Sequence, residues 1–324
     1  NVPEAKRTRL DNGLRVVVIE DSRLPLVSFR LAFLSGDADD PGDSVGLTSA
    51  LASMLAEGTE NYSSRTLAEK IERLGASIGA NSSDDFTIVS ASTLALYRSE
   101  VLQLMAEIVF RPTFPENELD LYRRNTVEHL KFQRSQPNFL AGEQKARILY
   151  GRHPYSRASP TAADVESITA EDLADFHRRL FVSNNAVLIV VGDVEFDPLL
   201  AEIREHFDGW QPGAVDQRRF ARPTPLDARR LTIVDRPGSA QSNIVLSNLG
   251  IRRDDPDYFA QLVMNQVLGA GASSRVFMNL REEKGYTYGA YTRLDARRDA
   301  GDFEATAEVR TAVTADSLKE FFYE

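Results

Sequence analysis

The sequence predicts an α+β protein made of two related α/β-sandwich units, the second truncated. Three observations carry that expectation. Helical and strand periodicities alternate along all 324 residues. A stretch at 209–225 containing Gly209, Pro212, Gly213, Pro223 and Pro225 has no apolar periodicity and divides the chain as a linker. Short features then recur in the same order across that break. Asp40-Pro41, a helix, Ser64-Arg65, a helix and strands with Asp85-Phe86 return as Asp255-Pro256, a helix, Ser274-Arg275, a helix and strands with Asp302-Phe303. The offset is about 210–217 residues, as expected of an internal duplication. The predicted organisation is therefore 1–208, a linker at 209–225, and 226–324. The last segment ends inside a helical pattern, Ala315–Tyr323, and is expected to be an incomplete second copy.

Leu10-Asp-Asn-Gly-Leu14 reads as a hairpin turn, because Asn-Gly favours the left-handed backbone of tight turns. Val16–Ile19 and Val27–Leu34 read as strands, Ser44–Glu57 as a helix, and Arg65–Leu74 as a helix capped by Ser63 or Ser64. Ala76–Leu96 alternates like two paired strands around Ser82-Ser-Asp-Asp85. Helices follow at Arg98–Phe110, Glu116–Arg134 and Phe139–Leu149. Thr169-Ala-Glu-Asp172 resembles a capping box and starts a helix to Leu180. Ala186–Val191 is a short buried strand, and Pro198–Phe207 is a helix closing the first unit.

Composition narrows the function. Hydrophobic content of 42% and charged content of 27% place the chain among globular proteins. A net charge of −10 argues against a nucleic-acid partner, and no apolar run reaches the ~20 residues of a membrane span. The absence of cysteine excludes disulfides and thiolate sites. With neither an initiator Met nor a signal peptide, the chain reads as a processed product, and its compartment stays open between periplasm and cytoplasm.

The richest segment is Gly46-Leu-Thr-Ser-Ala-Leu-Ala-Ser-Met-Leu-Ala-Glu-Gly-Thr59. By itself it is an apolar helix followed by a Gly-containing turn. It also resembles the inverted zinc motif of the pitrilysin/insulinase family of metallopeptidases, G-x-x-H-x-x-E-H-M-x-x-x-G-T. Gly46, Met54, Gly58 and Thr59 match. The two ligand positions fall on Ser49 and Ser53, and the general-base position on Ala52. Serine is not a usual zinc ligand, and alanine cannot take a proton. The family's third ligand is a Glu on a helix roughly 75 residues further on. In Arg124-Asn-Thr-Val-Glu-His-Leu130 that position falls on Leu130, while Glu128 and His129 sit at another helical phase. The four histidines, His129, His153, His177 and His206, show no metal-ligand spacing, and each reads as a surface or hydrogen-bonded structural residue. No metal is expected in this chain.

The second constellation is Ser273-Ser-Arg-Val-Phe-Met-Asn-Leu-Arg-Glu-Glu-Lys-Gly-Tyr-Thr-Tyr288. Arg281 and Tyr288 could be a solvated helix residue and a strand aromatic. The run also resembles S-x-L-F-x-x-L-R-E-x-x-G-L-A-Y of the same family's second domain, with the same seven-residue spacing from Arg to Tyr. The resemblance implies that the pair faces a zinc site across a cleft and binds substrate backbone and the oxyanion, work that a guanidinium and a phenol can do. It further implies a substrate-pairing edge strand at Ser77, Ile78, Gly79, Ala80 and Asn81, with a counterpart near Tyr286–Arg293. The fold implied is the metallopeptidase-like, pitrilysin-type sandwich.

Loss of the zinc set beside retention of the Arg/Tyr run leads to one reading. The chain is expected to be a non-catalytic subunit of a heterodimeric peptidase, inactive alone. A zinc-bearing homologous partner would hold the metal, and the ligand would be a peptide. Two alternatives stand beside it: a structural family member with no catalytic role, and a peptidase whose metal site has moved.

Overall fold

The computed structural model describes residues 4–215 and 220–324. Residues 1–3 of the expected first unit and 216–219 of the expected linker lie outside them. The chain divides into two compact units, one of residues 4–129 and 160–215, the other of 130–159 and 220–324.

The elements follow in order. β1 (Ala5–Arg9) and β2 (Arg15–Glu20) form a hairpin around the predicted turn, with Gly13 at φ 91°. β1 has a mostly polar sequence and carries no apolar alternation, so only its pairing with β2 reveals it. β3 (Leu26–Phe33) buries Val27, Phe29, Leu31 and Phe33 on one face. Then come α1 (Leu47–Met54), α2 (Ser64–Arg73), β4 (Ser77–Ser82), β5 (Thr87–Leu94), α3 (Arg98–Phe110), α4 (Glu116–Arg134) and α5 (Pro137–Tyr150). α6 (Ala162–Ser167), α7 (Ala170–Leu180), β6 (Ala186–Gly192) and α8 (Phe196–Phe207) complete the first stretch.

Six strands lie in the order β1-β2-β6-β3-β5-β4, antiparallel except for the β2–β6 pair. The period-2 face of β2, β3, β5 and β6 packs on α1, α3, α7 and α8 through Val18, Phe29, Leu31, Leu51, Leu102, Met105, Leu173 and Ile203. β6 lies between β2 and β3 and reads as a continuous apolar run, as a central strand does.

α1 is shorter than the helix expected over Ser44–Glu57. Its N-cap is Gly46 in the left-handed region (φ 93°), and past Leu55 the chain turns so that Gly58 bridges to Ser63. The expected linker also begins later than its composition suggests. Trp210 is buried against Phe33, Phe110 and Phe207, and its Nε1–H donates to the Phe181 carbonyl. A lone Trp among polar residues leaves no periodic signal.

The second stretch runs β7 (Gln241–Gly250), α9 (Tyr258–Leu268), α10 (Arg275–Phe277) continuing as a π-helical turn over Met278–Glu283, β8 (Thr287–Ala296), β9 (Gly301–Arg310) and α11 (Thr314–Tyr323). Its three strands lie in the order β7-β9-β8, all antiparallel. Its core is small: Ile244, Val276, Leu280, Ala290, Ala305, Ala307, Val309 and Phe321.

Residues 130–159 belong to this second compact unit, whereas the repeat places them in the 1–208 segment. An ionic network holds them there. Lys145 on α5 reaches Asp302 at 2.7 Å and Glu304 at 2.8 Å on β9. Tyr150 donates to Asp302 at 2.7 Å. Arg297 donates to the Tyr150 hydroxyl and stacks 4.2 Å from the Tyr155 ring centroid.

Candidate functional site

The Gly46–Thr59 segment folds as α1 and the turn after it, and a neighbouring carboxylate organises its start. Asp40 accepts from the backbone N–H groups of Gly46 (2.7 Å) and Thr48 (2.8 Å) and from the Thr48 hydroxyl (2.6 Å). A carboxylate taking up the orphan donors of a helix start is favourable for both partners. Asp37, on a short turn before the helix, accepts from Ser49 at 3.2 Å and from Ser82 of β4 at 2.7 Å. The Ser49 and Ser82 hydroxyls are 2.8 Å apart. The Ser53 hydroxyl donates to the Ser49 carbonyl at 2.9 Å, and Ala52 is buried.

The residues at the expected ligand positions do not fit a zinc ion. The Ser49 and Ser53 hydroxyls are engaged in hydrogen bonds, Ala52 has no donor atom, and a catalytic zinc takes imidazole, thiolate or carboxylate. Leu130 is a buried apolar residue of α4 and falls in the other compact unit, while Glu128 and His129 lie on the exposed side of that helix. Among the described residues no group of three or more His, Asp or Glu side chains is placed to hold a metal. Burial, reinforced by nearby Asp40 and Asp84, lifts the Asp37 carboxyl to about 6 against the opposing hydrogen bonds of Ser82 and Ser49. Thus α1 is tied to β4 by hydroxyls and a carboxyl. Sequence reasoning singled out Ser49 and missed its partners Asp37 and Ser82. The Asp37-Ala-Asp-Asp40 run just before the helix was the available signal.

His153 and His177 are hydrogen-bonded within the fold as expected, and His206 departs from that expectation. His153 accepts from the Tyr155 N–H through Nδ1 and is buried. His177 Nε2 lies 2.7 Å from the Val109 carbonyl, and burial lowers its pKa. His206 Nε2 is buried with no hydrogen-bond partner among the described residues.

Ser77, Ile78, Gly79, Ala80 and Asn81 lie on β4, an edge strand that pairs only with β5 among the described residues. The expected counterpart falls on β8, again an edge strand, paired only with β9 among the described residues.

Arg281 and Tyr288 flank the start of β8. Arg281 lies on the π-helical turn, a geometry that recurs at functional sites. Gly285, at φ 61°, then turns the chain into the strand. The ladder skips between Thr287 and Ala290, so Tyr288 and Gly289 together oppose Glu308 as a β-bulge. The Thr287 hydroxyl pins that bulge, donating to the Glu308 carbonyl at 2.7 Å, accepting from the Gly289 N–H at 3.1 Å and lying 2.9 Å from the Gly289 carbonyl. Bulges re-aim side chains, and Tyr288 is 90% exposed. Arg281 is 45% exposed, with its guanidinium 4.8 Å from the Phe277 ring centroid and 3.5 Å from neighbouring Glu282. Sequence reasoning missed Phe277 as a platform for Arg281, although the four-residue spacing on one helix was visible.

Comparison with known proteins bears on this geometry. A family model described as insulinase (peptidase family M16) matches residues 15–158, and one described as the peptidase M16 inactive domain matches residues 167–324. A Bacillus subtilis protein named as an uncharacterized zinc protease, YmxG, is 24% identical over 299 residues, covering 91% of this chain and 71% of its own. A Helicobacter pylori protein named as a non-peptidase homolog is 23% identical over 286 residues, covering 87% of this chain and 66% of its own. The crystal structure of a peptidase M16 inactive domain from Pseudomonas fluorescens superposes with a TM-score of 0.90 at 29% identity, covering 98% of this chain and 77% of that one.

Proposed function

This chain belongs to the insulinase (M16) peptidase family and is of its non-catalytic type, and we propose that it serves as the substrate-holding subunit of a two-chain peptidase. In this reading a homologous partner binds zinc and carries out hydrolysis. This chain contributes the Arg281 guanidinium and the Tyr288 hydroxyl to the peptide backbone and to the charge developing on the scissile carbonyl oxygen. The single observation that carries the reading is the placement of both groups. Arg281 rides a π-helical turn, Tyr288 rides a β-bulge, and both are exposed at the head of one edge strand. Both irregularities cost backbone regularity, and both set donor groups toward solvent. A phenol and a guanidinium so presented can meet a carbonyl oxygen. The edge strands β4 and β8 would hold an extended peptide by main-chain pairing, which demands few particular side chains.

Reconstitution with a zinc-bearing homologue tests this. Alone, the chain should not cleave peptides. In the pair, Tyr288→Phe removes one hydroxyl and should lower turnover by about 10²–10³-fold, the usual effect of losing one oxyanion donor. Arg281→Ala should lower it too, with the pair still assembling by gel filtration. Wild-type turnover in both variants would sink the catalytic role and leave the chain a scaffold.

A further inference from the structure

We propose that Tyr291 forms the floor of a side-chain subsite on β8 that selects extended peptides carrying an aromatic residue. This rests on the reading of β8 as a peptide-facing edge and adds a substrate class to it. The Arg281 guanidinium sits 4.8 Å from the Phe277 ring centroid, and the Phe277 ring lies 5.6 Å from the Tyr291 ring at an interplanar angle of 50°. Cation, buried ring and half-exposed ring therefore form one continuous series. Phe277 is 2% exposed and acts as the anchor, while Tyr291 is 45% exposed and presents the surface.

Gly289 makes the pose of Tyr291 possible. A Cβ at Gly289 would lie 2.7 Å from Tyr291 Cε2 and 3.0 Å from its hydroxyl oxygen. The Tyr291 ring is thus folded back along the strand over Gly289, on the bulge that also displays Tyr288. A peptide added along the open edge of β8 would set alternate side chains toward this face. An aromatic side chain arriving there meets a half-exposed ring, and aromatic pairs add to simple burial. Preference for an acidic side chain would report the Arg281 cation and not the Tyr291 ring, so the two chemistries separate in a test.

Nine-residue labelled peptides differing only in a central Phe, Ala or Glu, titrated against the chain by fluorescence anisotropy, decide the matter. The Phe peptide should bind about two- to twelve-fold tighter than the Ala peptide, the ratio that ring pairing supplies. Tyr291→Phe should keep that ratio, and Tyr291→Ala should bring it to about one. Gly289→Val, which leaves Tyr291 present but displaces its ring, should reduce it as well. Circular dichroism would confirm that each variant is folded. Equal binding of the Phe and Ala peptides by the wild type, tighter binding of the Glu peptide, or an unchanged ratio in Tyr291→Ala would each overturn the subsite while leaving the edge-strand reading intact. Failure of every peptide to bind would instead overturn the edge-strand reading, and the subsite with it.

Discussion

Asp37 shows, at the scale of single side chains, how a partly buried carboxyl is accommodated. The group lies between α1 and β4, and two serine hydroxyls donate to it. Burial favours the neutral acid, so its pKa stands at about 6, above the unfolded value of about 3.9. The folded chain therefore takes up this proton before the unfolded chain does. The resulting stability is fully present below about pH 4 and lost as pH rises through about 6, a difference on the order of 2–3 kcal/mol. Asp37→Asn keeps an acceptor for Ser49 and Ser82 and removes the titration. Thermal unfolding should show the variant gaining stability over wild type at pH 7.5, about half as much at pH 5, and little or none below about pH 4. An equal loss at pH 7.5 and pH 5 would mean that the ionised carboxyl is the stabilising form.

Among the elements, α7 shows local chemistry agreeing with packing. Thr169 and Asp172 form a full capping box: the Thr169 hydroxyl accepts from the Asp172 N–H at 3.1 Å, and Asp172 accepts from the Thr169 N–H at 2.9 Å. Leu173, Phe176 and Leu180 then fall on the buried face. Thr169→Ala should cost about 1 kcal/mol, read as a lower denaturant midpoint at unchanged slope. A variant as stable as wild type would show that packing alone sets the start of this helix. The same logic explains which elements were legible. α3 and α4 match their predicted bounds, Arg98–Phe110 and Glu116–Arg134, because long periodic segments signal strongly. α6 has only six residues, and β7 buries few of its ten, so neither carries a period strong enough to read. Ser49, Ala52 and Ser53 could be placed from the motif frame alone. Ser82 could not, because it reaches Ser49 from 33 residues away.

For the whole molecule, the decisive feature is the network that joins α5 to β9. Burial opposes the charge on Asp302, but hydrogen bonds from Lys145 and Tyr150, with the charges of Lys145 and Arg297, outweigh it and hold its pKa below the usual value. Its contribution is therefore present above the unfolded carboxyl pKa and lost as pH falls through the folded one. This runs opposite to Asp37, so acid weakens the second unit while relieving strain in the first. Lys145→Met strips a buried carboxylate of its main cation and should destabilise by about 3–5 kcal/mol. Lys145→Met with Asp302→Leu should recover much of that loss. Hydrogen exchange should show the single variant opening over 130–159. If those amides stay as protected as in wild type, apolar packing and not the ion network holds the segment.

Sequence by itself determined the element types along most of the chain and the spacing of two motif-like runs, one on α1 and one leading into β8. Those features are written in local spacing, which 3.6- and 2-residue periods and short motifs preserve. Tertiary structure alone decided three further matters. It placed residues 130–159 with the C-terminal unit, gave Ser49 its partners in Asp37 and Ser82, and laid Tyr291 over Gly289 beside Phe277. Each depends on groups far apart in sequence or on a backbone irregularity. Such contacts form only where packing brings distant segments to hydrogen-bonding or van der Waals distance, and no local period encodes that meeting.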